Sequence, residues 1–140
     1  MEYQIRKCEA RDLKALYNLE QQIFPEDAWS QELFEAEFKQ KYTKYYIAET
    51  NEIVGYAGIA MGPDFSDIMT LSVLPKYRKQ GIAKALLTKL LAQTETRTLL
   101  EVREDNQAAI KLYQQFGFNI IDVRKRYYPD QKNAMVMMRG

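Results

Sequence analysis

The segment that most restricts the fold runs from Asp67 to Arg103. Asp67 to Leu74 reads as a strand closed by Pro75. A short basic loop, Lys76 to Gln80, leads to Gly81 and a strongly helical stretch. There Ile82, Leu86 and Leu90 lie along one stripe, with Ala83, Leu87 and Leu91 beside it. Lys84, Thr88 and Lys89 stay outside, so the helix has one wide face to bury. Leu99 to Arg103 is again a strand. A strand, a helix and a second strand joined in this way favour a parallel crossover near the middle of a sheet.

The flanking sequence supplies the rest of a mixed α/β pattern. Residues 2–9 read as a short strand. Asp12 is placed to cap a helix carrying Leu13, Leu16, Leu19 and Ile23, and Pro25 stops it. Ser30 caps the next helix, with Leu33, Phe34 and Phe38. Residues 45–49 and 52–61 form two strands turning at Asn51. Asp105 or Asn106 caps a helix whose apolar face is Ala109, Leu112, Tyr113 and Phe116, and Gly117 ends it in the left-handed conformation. Phe118 to Arg126 and Ala134 to Met138 are the last strands, separated at Pro129 and Asp130. The expected order is β-α-α-β-β-β-α-β-α-β-β.

Bulk properties narrow the chemistry. The 140 residues suit one domain, spanning 1–140, with a real core. A net charge of +1 lacks the basic excess of a nucleic-acid grip, so direct nucleic-acid binding is not expected. The segment from Lys39 to Tyr46 mixes lysines with Tyr42, Tyr45 and Tyr46; it reads as a solvated edge strand rather than a basic-aromatic surface for RNA. Cys8 is the single cysteine, which excludes an internal disulfide and a multi-cysteine metal site. No metal is expected. No apolar run approaches the ~20 residues that span a bilayer, and a cytoplasmic location is expected. The chain contains no histidine, so any general base is a carboxylate, lysine, tyrosine, the lone cysteine or bound water.

At Gly81 a strand runs through a basic loop straight into a helix. Unpaired N–H groups at a helix start, aided by the helix dipole, attract anions. Gly81 and Ala83 carry almost no side chain, so a diphosphate can approach the backbone, and Arg78, Lys79 and Lys84 add positive charge. Neither G-x-x-x-x-G-K-[ST] nor G-x-G-x-x-G is present. The plain alternative is an ordinary loop–helix junction with solvated lysines. Arg78-x-x-Gly81-x-Ala83, after Val73-Leu74-Pro75, resembles the [RQ]-x-x-G-x-[GA] coenzyme A motif of GNAT acetyltransferases. The resemblance implies a GNAT fold: about seven mostly antiparallel strands with a central, splayed parallel pair, flanked by about four helices. It implies that acetyl-CoA is the co-substrate. Amides from Arg78 through Lys79, Gln80, Gly81, Ile82, Ala83 and Lys84 would hold its pyrophosphate, and Leu71, Ser72 and Val73 would offer backbone groups to the pantetheine and acetyl group.

Acetyl transfer to an amine needs a base for the ammonium proton and an acid for the departing thiolate. An α-amino group, with a pKa of about 7.7–8.0 against about 10.4 for lysine, asks less of that base. Alternation along Leu99 to Arg103 points Glu101 away from Leu100 and Val102, toward the face where a cleft can form. Tyr113 lies on an apolar helix face but carries a hydroxyl able to donate a proton. The plain readings are a surface carboxylate, a core tyrosine and an N-cap asparagine. Leu100-Glu101-Val102-Arg103, Asn106, Ala108-Ala109, Leu112-Tyr113, Phe116-Gly117-Phe118 and Arg124-Lys125-Arg126-Tyr127-Tyr128-Pro129 closely resemble bacterial ribosomal-protein-alanine N-acetyltransferases (RimI). Phe24-Pro25 and Trp29-Ser30 carry a fainter likeness. The resemblance implies that Glu101 is the general base, Tyr113 the general acid and Asn106 a coenzyme A contact, with Trp29, Tyr127 and Tyr128 around the acceptor. It departs at Lys132-Asn133, where those relatives commonly carry an acidic pair.

Three readings follow. In the first, the acceptor is a protein N-terminus, such as the N-terminal alanine of a ribosomal protein. In the second, the same fold acetylates a small-molecule amine or a lysine side chain. In the third, the chain is a coenzyme A-binding module without catalysis.

Overall fold

A computed structural model describes residues 2–25 and 30–140. The elements follow the expected order: β1 (Gln4–Lys7), α1 (Leu13–Ile23), α2 (Gln31–Phe38), β2 (Thr43–Glu49), β3 (Ile53–Met61), β4 (Phe65–Val73), α3 (Ile82–Leu91), β5 (Arg97–Arg103), α4 (Gln107–Gln115), β6 (Asn119–Arg124) and β7 (Ala134–Arg139). The strands form one sheet in the order β1-β2-β3-β4-β5-β7-β6. Only β4 and β5 pair in parallel, through the crossover helix α3; the other neighbours are antiparallel. This is the mixed α/β fold that the sequence leads one to expect.

The alternation of side chains along each strand gives the sheet two covered faces. On one, Ala57, Ile59, Ile68, Val73, Leu100 and Val102 pack against Ile82, Leu86, Leu87 and Leu90 of α3 and Ile110 and Tyr113 of α4. On the other, Tyr45, Ile47 and Tyr56 pack against Leu16 and Leu19 of α1 and Phe34 of α2. Here Gly58 opposes Tyr45 across the β2–β3 ladder. A Cβ added to Gly58 would stand 2.3 Å from the Tyr45 ring, so only glycine lets this ring lie flat on the sheet.

Local details differ from the expectations for physical reasons. Asp12 stands at the N-terminus of α1 but its side chain caps none of the α1 amides. Its carboxylate instead receives both Arg6 terminal nitrogens at 2.9 Å and the Glu9 amide at 2.8 Å. Ser30 does cap α2, accepting from the Leu33 amide at 3.1 Å. Asn106, not Asp105, caps α4 through the Ala109 amide at 3.2 Å. Gly117 has a φ of 90°, the left-handed conformation that follows α4. The strand expected over Lys39 to Tyr46 is not an edge: β2 lies between β1 and β3, and Tyr45 and Tyr46 are buried. Its apolar side chains on both faces explain why.

The feature that shapes the site is the short pairing of β4 with β5. Only Phe65, Ser66 and Asp67 pair with Arg97, Thr98 and Leu99, although β4 continues to Val73 and β5 to Arg103. The β3–β4 ladder shifts register between Gly58 and Ile59, which leaves Met69 as the extra residue. A bulge bends its strand, and this one falls where β4 leaves β5. The two strands therefore splay apart beyond Asp67, opening a gap through the middle of the sheet.

Candidate active site

On the α3–α4 side of the splay lies a cavity of about 460 Å³. Its floor is the unpaired end of β4, at Leu71, Ser72 and Val73. One wall is the loop and first turn of α3, from Tyr77 to Lys84, without Gln80. The opposite wall is the start of α4, with Asn106, Ala108, Ala109, Leu112 and Tyr113, and Ile23 and Phe24 at the end of α1 close one side. A larger depression of about 660 Å³ lies between α1 and the turn at Pro75. Its two charged groups, Glu52 and Lys76, pair with each other at 3.8 Å, so it presents no anion cradle.

The α3 wall is built for an anion. The first main-chain bond into the helix runs from the Ala85 amide to the Gly81 carbonyl at 3.0 Å. The amides of Ile82, Ala83 and Lys84 precede it and are left for an external acceptor. Lys79 and Gly81 both take left-handed backbone, with φ of 64° and 84°, which turns successive N–H groups inward. Ala83 lines the cavity with a single methyl group, so the backbone is approachable. Arg78 and Lys79 also line the cavity. The Arg78 Nε, however, donates to the Val73 carbonyl at 3.0 Å, which ties the loop to the end of β4. A diphosphate fits this arrangement: free main-chain donors, the helix dipole and nearby cations converge on one concave surface.

On the α4 wall, the Asn106 side-chain oxygen is committed to its cap, while the residue still faces the cavity. Tyr113 is buried, edge-on to Phe118 with ring centroids 5.7 Å apart. Burial pushes its hydroxyl above the ordinary tyrosine range, with a smaller contribution from Tyr128, so it stays protonated at neutral pH.

Glu101 occupies the other face of the sheet. Leu99 is level with Asp67 in the parallel ladder, and Glu101 follows two residues later on the same side. The Arg124 Nε lies 3.4 Å from the Glu101 carboxylate. Burial and the Glu101 charge raise the hydroxyl of Tyr127. Tyr127 and Tyr128 directly follow a strand that the sequence leads one to expect as far as Arg126. In fact β6 stops at Arg124, and both tyrosines lie in the loop to β7, where Arg126 takes a φ of 54°. Freed from strand alternation, their rings meet edge to face, 5.1 Å apart. Arg103 orders this loop: it stacks over Tyr128 at 4.7 Å, pairs with Asp105 at 3.3 Å and binds Asp130. The Glu104 carboxylate accepts the Asn133 amide, and the Asn133 side chain accepts the Arg126 amide at 2.9 Å.

The splay thus stands between two groups of residues named from the sequence. Leu71, Ser72, Val73, Arg78, Lys79, Gly81, Ile82, Ala83, Lys84, Asn106 and Tyr113 share the cavity. Glu101 and Tyr127 share the opposite side of the gap. Gln80 does not line the cavity. Trp29 lies outside the described residues. Sequence reasoning missed Ile23, Phe24, Tyr77, Ala108, Ala109 and Leu112 as cavity residues. Ile23 carried only the signal of an apolar helix stripe, which does not reveal that the stripe ends against a cleft.

Comparison with known proteins agrees with this geometry. The model of the Acetyltransferase (GNAT) family matches residues 13–118. The [ribosomal protein bS18]-alanine N-acetyltransferase of Escherichia coli K12 is 32% identical over 95% of this chain and 94% of its own length. The Haemophilus influenzae protein of the same name is 36% identical, covering 95% of each chain. The crystal structure of the Escherichia coli ribosomal-protein-S18-alanine N-acetyltransferase superimposes with a TM-score of 0.87, covering 99% of this chain and 93% of that one. The chain therefore belongs to the GNAT acetyltransferases, enzymes that use acetyl-CoA as co-substrate.

Proposed function

We propose that this enzyme acetylates the α-amine of a protein N-terminus, with the N-terminal alanine of ribosomal protein bS18 as its acceptor. The observation that carries this reading is the 32–36% identity to bS18-alanine N-acetyltransferases over nearly the whole of both chains. Such an acceptor implies work in the cytoplasm, and no described helix is long and apolar enough to cross a membrane.

The site supports a direct transfer. Bound acetyl-CoA supplies a thioester carbonyl as the acetyl donor. The amides of Gly81, Ile82, Ala83 and Lys84 hold the pyrophosphate, and Asn106 contacts the cofactor from the opposite wall. The splayed end of β4 at Leu71, Ser72 and Val73 aligns the acyl arm through the gap. The acceptor amine approaches from the Glu101 side, beside Tyr127 and Tyr128. Glu101 takes the ammonium proton, directly or through water, and Tyr113, kept protonated by burial, gives its proton to the departing sulfur.

The test is to incubate the enzyme with acetyl-CoA and three classes of acceptor. These are an alanine-first peptide of the bS18 N-terminus, the same peptide with a blocked α-amine, and a panel of polyamines and amino acids. Mass spectrometry should find one acetyl group on the free α-amine and none on the blocked peptide. Transfer to lysine side chains or small amines, with the free peptide untouched, would reject the acceptor assignment.

A further inference from the structure

We propose that Asp67 is a second carboxylate of the acceptor site, sharing with Glu101 the proton that the acceptor ammonium releases before attack. The inference rests on the reading that the amine enters on the Glu101 face.

The register of the sheet puts Asp67 there. It is the last residue of β4 still level with β5, opposite Leu99, and the strands part immediately beyond it. Its side chain therefore emerges on the Glu101 side of the sheet, at the root of the splay. The two carboxylates differ in their surroundings. Glu101 is engaged by Arg124 at 3.4 Å. No hydrogen bond or ion pair from another described residue reaches the Asp67 carboxylate. On β5, Arg97 and Glu101 flank Leu99 on this face. The β3 partner of Asp67 is the uncharged Ala60, and Arg124 and Tyr127 stand beside Glu101. Although Asp67 reaches solvent, the surrounding sheet desolvates it in part, and this raises its carboxyl above the usual aspartate range; the Glu101 charge adds to the effect. An unpaired carboxylate of raised proton affinity, beside the path of an ammonium, is a fitting proton acceptor in a chain without histidine.

The step balances. An N–H bond of the ammonium breaks and its proton passes to the carboxylate pair, to Glu101 or to an Asp67 oxygen. The freed lone pair forms the N–C bond at the thioester carbonyl, the C–S bond breaks, and the Tyr113 proton goes to sulfur. The acylated nitrogen then loses its second N–H proton as the amide forms, which restores that of Tyr113 through solvent, and the proton held by the carboxylate pair leaves to solvent.

The experiment compares Asp67→Asn and Asp67→Ala with wild type, using whichever amine the wild type acetylates. A failure of the bS18 assignment therefore leaves this test intact. Steady-state kinetics across pH are read together with acetyl-CoA affinity by calorimetry and with thermal melts. Loss of one proton-accepting group should lower kcat/KM for the acceptor by ~10-fold or more. The low-pH fall of kcat/KM should change from a two-group to a one-group slope, with cofactor affinity and melting unchanged. Asp67→Asn combined with Glu101→Gln should lose less than the product of the single losses. Both single variants keeping wild-type kcat/KM and pH profile would overturn the proposal. So would a loss matched by weaker cofactor binding or by lower melting, because that marks a structural residue.

Discussion

Tyr113 combines packing with the proton transfer proposed for it. Its ring fills the core between α4 and the sheet, edge-on to Phe118, while the same residue lines the cavity. Burial makes the hydroxyl a poor acid in isolation but keeps it protonated at neutral pH, as the proposed donor to sulfur requires. Tyr113→Phe should retain the packing and lose only the proton donor. Turnover is expected to fall by ~100-fold, with acetyl-CoA affinity unchanged by calorimetry and unfolding free energy within about 1 kcal/mol of wild type. A drop in cofactor affinity equal to the drop in turnover would place the hydroxyl in binding rather than proton transfer. Gly81 is the complementary case. A Cβ there would meet nothing closer than the Tyr3 hydroxyl at 3.9 Å, so its side-chain space is open. The demand for glycine comes from its φ of 84°.

At the scale of elements, α1 depends on a buried acid. Glu20, only 6% exposed, accepts a hydrogen bond from the Tyr56 hydroxyl of β3. Desolvation raises its carboxyl from the ordinary glutamate value of 4.5 to about 7. The folded protein therefore holds this proton where the unfolded chain has released it. The resulting stabilisation is present below about pH 4.5 and is lost as pH rises toward about 7. Glu20→Gln should keep an acceptor for Tyr56 and remove this dependence. Urea unfolding near pH 5 and pH 8 should show the variant gaining on wild type by about 1–3 kcal/mol at the higher pH. An identical pH slope in both proteins would show that Glu20 is not the titrating group. The last turn of α1 also bears Ile23, a wall of the cavity, so this buried pair anchors part of the site.

For the whole molecule, one sheet carries both helix layers, and α3 ties the crossover to it. Leu86 is fully buried at the centre of the α3–α4 face. Truncating it leaves a cavity that the surrounding strands cannot close. Leu86→Ala should lower global stability by about 2–5 kcal/mol. Circular dichroism and tyrosine fluorescence should report coincident urea transitions if the two faces unfold together. Separate transitions would mean that the α1–α2 layer melts independently of the α3–α4 layer.

Local periodicity and turn chemistry were enough to read much of this protein from its residues. The apolar stripe of α3, the caps at Ser30 and Asn106 and the left-handed stop at Gly117 are short-range consequences of side-chain size and hydrogen bonding. The turn into α3 at Gly81, with its small neighbour Ala83, is equally local. The assignment of Glu101 and Tyr113 also came from sequence, by resemblance to relatives. Other features depend on long-range pairing. Tyr45 and Tyr46 read as residues of a solvated edge strand until β2 is placed between two partners, and the strand read as far as Arg126 stops at Arg124. The bulge at Met69, the parting of β4 from β5 and the approach of Asp67 to Glu101 exist only when three strands are brought into register. A sequence written in one dimension specifies which residues prefer a strand. The step at which two strands stop bonding is a balance of bend, twist and packing among distant segments, and only the folded sheet decides it.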